Sequence, residues 1–70
     1  MENFNALESG RRLRELRGDR PQIEVARALN VTAMTISSYE RGERIPPDPM
    51  KCALANYYGK SVTDIFFNAE

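Results

Sequence analysis

Histidine does not occur in the chain, and Cys52 is the single cysteine. Those two shortages remove acid/base work by a group titrating near neutrality, His/Cys zinc sites and internal disulfides. Asp48, Asp64 and the scattered Glu residues form no paired arrangement with a nucleophile, so an enzyme is not expected. No apolar run approaches the roughly 20 residues of a membrane span, and the polar N-terminus lacks a signal-peptide core, so no membrane partner and a cytoplasmic location are expected. An excess of one charge is missing as well, since ten Lys and Arg face ten Asp and Glu. Overall charge is therefore no argument for any partner. Its distribution is more informative: residues 11–44 hold eight Arg against five acids, while the flanks carry a small acidic excess.

Length leaves room for one core, so residues 1–70 are read as a single domain, ordered from about 6 to 67 and frayed at both ends. Strand-type alternation is absent over any useful length, whereas apolar residues recur at three- and four-residue steps, which predicts an all-α fold. A first helix begins near Leu7, sets Leu13 and Leu16 under a basic face of Arg11, Arg12, Arg14 and Arg17, and stops at Gly18-Asp19. Pro21 suits the first position of a second helix with Val25, Ala26 and Leu29 inward and Asn30 as a left-handed stop. Thr32 then caps a third helix, Ala33 to Arg41, with Ile36 and Tyr39 inward and Gly42 ending it. The stretch Glu43 to Pro49 holds three prolines and is read as an ordered connection. Asp48 is expected to cap a fourth helix with Pro49 at its first position and Met50, Leu54, Ala55 and Tyr58 as the core stripe. Past Gly59, Ser61-Val62-Thr63-Asp64 reads as a capping box leading into Ile65, Phe66 and Phe67, a fifth helix.

The pair of helices from Pro21 to Arg41, joined by a very tight turn, has the spacing that places a second helix in a DNA major groove. Its outer face is short and polar, at Thr32, Ala33, Thr35, Ser37 and Ser38, where a solvated helix usually carries Lys and Glu. Such side chains suit close approach to a groove floor.

The stretches GRRLRELR, PQIEVARALNVTAMTISSYERGERIP and DPMKCALANYYGKSVTDIFF, in this order, resemble the lambda-repressor-like helix-turn-helix regulators of bacteria and phages, also called the xenobiotic-response-element family. The resemblance covers about residues 7–67. It implies a compact five-helix domain with the helix-turn-helix at helices 2 and 3. By that resemblance Gln22 meets a phosphate, Ala33, Met34 and Ser38 present side chains to base edges with Thr32 and Ser37 at the margins, and Arg41 and Arg44 contact phosphate. Arg17 and Glu40 fall where many members have an internal ion pair. Several positions depart from the family pattern. The turn Gly18-Asp19-Arg20 is shorter, Pro21 replaces a Ser or Thr cap, Ile23 replaces a polar residue, and Ala33 and Met34 replace longer hydrogen-bonding side chains. Readout would then lean on thymine methyls and DNA shape.

The implied function is sequence-specific binding of double-stranded DNA, as a homodimeric, nucleoid-associated repressor on an inverted-repeat operator, with no cofactor, metal or small-molecule ligand. A protein-interaction module on the same fold, antitoxin-like or an antirepressor partner, is the alternative. Arg11, Arg12 and Arg14 are read mainly as solubilising residues, and Cys52 as a small buried one. In the last helix Phe67 is expected to point away from Phe66 and outward, which makes Phe67, with Tyr57 next, the candidate dimer contact.

Overall fold

A computed structural model of the chain describes residues 5–67. The fraying expected at the two chain ends lies outside them. Among the described residues the architecture is all-helical: α1 (Ala6–Arg17), α2 (Gln22–Leu29), α3 (Ala33–Glu40), α4 (Asp48–Tyr58) and a final π-helical turn (Thr63–Phe67). Every element contributes to one core. Leu13 comes from α1, Val25 and Ala26 from α2, Ile36 and Tyr39 from α3, Leu54 and Ala55 from α4, and Ile65 and Phe66 from the last turn. Five residues are too few to hold a helical turn on their own. Burial does it here, since Ile65 and Phe66 are each 1% exposed and full burial of such a side chain stabilises by about 1.5–3 kcal/mol.

Local chemistry sets the boundaries. Asn5 caps α1 by accepting from Glu8 N at 3.0 Å. Asn30 takes the left-handed conformation (φ 63°, ψ 41°), and Val31 N–H reaches back to the Ala26 carbonyl at 2.9 Å, so α2 ends in a hydrogen-bonded reversal. Two residues later Thr32 Oγ1 accepts from Thr35 N at 3.1 Å and starts α3. Ser61 Oγ accepts from Asp64 N at 2.9 Å and starts the last turn.

Both proline-led starts differ from expectation by one position. Pro21 stands before α2 in an extended conformation (φ −68°, ψ 150°) rather than inside it. Pro47 does the same before α4, so Asp48 is the first helical residue and caps nothing. Pro47 has no N–H for a helix start to leave unpaired, and Asp48 is helical although the residue before a proline is usually pushed out of that region. Asp48 still favours α4 by placing a carboxylate at its positive end.

One close approach fixes α1 against α3. A Cβ at Gly10 would lie 2.4 Å from the Glu40 carbonyl oxygen and 2.6 Å from that of Tyr39, so only glycine lets the two backbones meet. The short turn after α1 is clamped by Arg20, whose Nη2 and Nε donate to the carbonyls of Leu16 (2.7 Å) and Arg17 (3.2 Å). Its guanidinium also lies over the rings of Tyr57 (5.5 Å) and Tyr58 (5.3 Å), which ties α4 to that turn.

Three side chains sit elsewhere than expected. Cys52 is exposed, because it precedes Leu54 by two residues and so points about 200° away from it around α4. Phe67 is partly buried against the core instead of outward, with Lys51 Nζ 5.1 Å from its ring centre and 6.0 Å from that of Phe66. Arg12, on the supposedly solubilising face, donates to the Ile65 carbonyl at 2.8 Å and anchors the last turn.

Candidate nucleic-acid interface

α3 packs against α1 on one side and α2 on the other, leaving a narrow outer strip. Met34 is 75% exposed at its N-terminal end, Thr32 is exposed, and Ala33, Thr35 and Ser37 are half-buried. The Thr32 hydroxyl is already engaged with Thr35, both as the helix cap and through a 2.9 Å contact between the two hydroxyls. Ser38 is not part of the strip. It is only 9% exposed, because the chain after Gly42 folds back and its carbonyl accepts from the N–H groups of Glu43 (2.9 Å) and Arg44 (3.4 Å). A residue so covered offers little to a base edge, which corrects its expected place among the outward residues.

Beside this strip lies an open cleft of about 250 Å³ lined by Arg14, Arg17, Gln22, Ser37, Glu40 and Arg41. Its floor is an ion pair. Arg17 Nε and Nη2 donate to the two Glu40 carboxylate oxygens at 2.7 and 3.0 Å, and the side chains are 15% and 5% exposed. The Arg17 guanidinium is held above its usual range, chiefly by the hydrogen bond with Glu40. Gln22 joins from α2, its Nε2 donating to Glu40 Oε1 at 3.0 Å. An amide nitrogen carries two hydrogens, so one fixes the Gln22 side chain and the other is left for a ligand. The pair thus does two things at once: it locks α1 to α3 and holds the Gln22 side chain at the cleft.

Arg41 follows α3 and lines the same cleft. Its Nε and Nη2 donate to Glu43 at 3.1 and 2.9 Å, and its Nη1 bonds Ser37 Oγ. Gly42, at φ 74°, reverses the chain between them and lets side chains two residues apart face each other. Arg44 is directed away, over the buried Tyr39 ring at 5.9 Å from its centre. The residues expected at phosphate are therefore divided: Gln22 and Arg41 share the cleft, and Arg44 stands apart from it. Arg14 is the addition. It lies three residues before Arg17 on α1, one turn along the same face, and that spacing was the available signal.

Tyr57, half-buried, meets Tyr58 edge to face at 5.0 Å under Arg20, so the C-terminal aromatics are largely committed to the protein itself. Among the described residues the large apolar side chains left exposed are Leu7, Ile23, Met34 and Ile45. Among the described residues no His, Cys, Asp or Glu cluster could hold a metal ion, and no helix is long and apolar enough to cross a membrane.

A family model described as helix-turn-helix matches residues 11–65. Among solved structures, that of the DNA-binding domain of BldD is similar, with a TM-score of 0.71 and 28% sequence identity over 87% of this chain and 92% of that one. No curated protein matches the chain. The tight α2–α3 pair, its paired floor and the family match over most of the length together place the chain in the lambda-repressor-like helix-turn-helix family of DNA-binding transcriptional regulators.

Proposed function

We propose that the protein binds an inverted-repeat operator in double-stranded DNA as a homodimer and represses transcription by occupying it. The observation that carries this reading is the pairing of an outer α3 strip of short or flexible side chains with an Arg-rich cleft that shares Ser37 with it. α3 enters the major groove, and Thr32, Ala33, Met34 and Ser37 approach base edges. Met34 dominates by exposure, so thymine methyls are the favoured contacts. Gln22 and Arg41 meet phosphate on either side of the cleft and fix the register of α3, with Arg14 adding charge. Arg44 contacts phosphate only after leaving the Tyr39 ring. Two protomers would read half-sites about 34 Å apart on one face of the duplex. Their contact is proposed at the C-terminal aromatic region, where Phe67 and Tyr57 are only partly buried.

Selection of bound sites from a random duplex library tests the proposal. Enrichment of an inverted repeat supports it, and a shift in one or two base preferences with Met34→Gln places α3 in the groove. A library with no enriched sequence would reject DNA readout and favour a protein partner for the same surface.

A further inference from the structure

The three Arg of the cleft are not equivalent. Arg17 is neutralised by Glu40 in a mostly buried pair, Arg41 by Glu43 in an exposed one with side chains 52% and 59% exposed, and Arg14 has no carboxylate partner among the described residues. With Glu40 and Glu43 counted against its three Arg, the cleft presents about one net positive charge. Backbone hydrogen bonds bring the Glu43 residue beside Arg41. The turn at Gly42 is pinned by Gly42 N to the Tyr39 carbonyl (3.1 Å) and Glu43 N to the Ser38 carbonyl (2.9 Å), and both carboxylate oxygens engage the guanidinium fork. A carboxylate held in that way occupies the donors a phosphate would use.

We propose that Glu43 is a specificity-determining residue, an internal substitute for phosphate on Arg41 that weakens binding to non-target duplex more than binding to the operator. The proposal rests on the DNA-binding reading above. Non-specific binding is almost entirely phosphate contact, and each phosphate neutralised by a cation releases counterions. On random duplex α3 stands off the groove floor and Arg41 keeps Glu43, so one phosphate fewer is neutralised. On the operator, full seating of α3 brings the phosphate to Arg41 within bonding distance. Exposed pairs of this kind contribute little net stability, so the exchange is possible there. Hydrogen bonding from Arg41 also holds the Glu43 carboxyl below its ordinary range, so it stays charged throughout the neutral region.

The test is Glu43→Gln in the full chain, alone and with Arg41→Ala, titrated against random duplex and against the selected site from about 50 to 200 mM salt. Expected for Glu43→Gln on random duplex is a log–log salt slope steeper by about 0.9, which makes its affinity gain over wild type roughly three- to four-fold larger at 50 mM than at 200 mM salt. The selected site should gain less, so the specificity ratio falls. In the Arg41→Ala background the same change should leave the slope alone. Equal gains on both duplexes, or the same gain with Arg41 absent, would show a general charge effect and overturn the proposal. Wild type that binds neither duplex would instead remove the DNA-binding reading, and this inference with it.

Discussion

Arg17→Ala strikes the floor of the cleft. It leaves the Glu40 carboxylate, 5% exposed, with Gln22 Nε2 at 3.0 Å as its remaining side-chain donor in place of three. Removing one member of a buried pair typically costs about 3–5 kcal/mol, because the other charge stays desolvated. A domain of this length holds only about 4–10 kcal/mol at the usual 0.05–0.15 kcal/mol per residue. Since 1 kcal/mol moves the melting point of so small a domain by about 4–8 °C, the variant should melt at least about 12 °C below wild type. Circular dichroism at 222 nm follows the transition. The double replacement Arg17→Met with Glu40→Leu separates charge from packing: apolar substitution of a buried pair is often neutral, so it should recover most of the loss. A single variant melting within about 4 °C of wild type would mean that water reaches the carboxylate. A double variant as unstable as the single one would place the loss in shape and not in charge.

Gly10→Ala should be at least as damaging, since its Cβ would meet two backbone carbonyls of α3 at 2.4 and 2.6 Å, and a thermal melt falling as far below wild type as that of Arg17→Ala checks it. The Tyr58 hydroxyl is pushed up to about 12, first by burial and then by the nearby Glu40 charge. Its stabilising effect is therefore complete below the unfolded value near pH 10 and disappears as pH rises through about 12, so Tyr58→Phe should flatten the fall in melting temperature across that window. An equally steep fall in the variant would contradict this. Gln22→Ala should weaken all duplexes nearly alike and Arg41→Ala the operator more than random duplex, while Met34 variants change preference at one or two base pairs by about 1–3 kcal/mol each, as competition titrations with single-mismatch sites will show. Phe67→Ser should lower the sedimentation coefficient at micromolar concentration if the C-terminal aromatics join two protomers. Unchanged dimerisation moves the interface elsewhere, with exposed Leu7 and Ile45 the next candidates.

Much of the fold was legible because its signals are local. Asn30, Gly42 and Gly59 each needed a positive φ, Thr32 and Ser61 each needed only a hydroxyl before a helix, and the apolar steps of three and four pointed at Leu13, Val25, Ile36 and Leu54. The Arg17 and Glu40 positions came from the family pattern, not from periodicity. What stayed hidden depends on neighbours distant in sequence. Ser38 looks outward by residue type and is covered by the chain that returns at Glu43 and Arg44. Phe67 looks outward by α-helical geometry and is drawn in by a π-helical turn beneath Lys51. Cys52 looks buried by its apolar company, yet the angle to Leu54 turns it to solvent. Gly10 gave no sign, since a glycine inside a helix has many causes and only the α3 carbonyls identify this one.

On the proposed function, the outer strip of α3 reads base sequence while the adjoining cleft holds the backbone. Fluorescence anisotropy of the selected operator and of random duplex, titrated side by side at several salt concentrations, tests it most directly. The operator should bind at least about 10³-fold tighter at physiological salt, and both affinities should fall as salt rises. Equal affinity for the two duplexes at every salt concentration would contradict it.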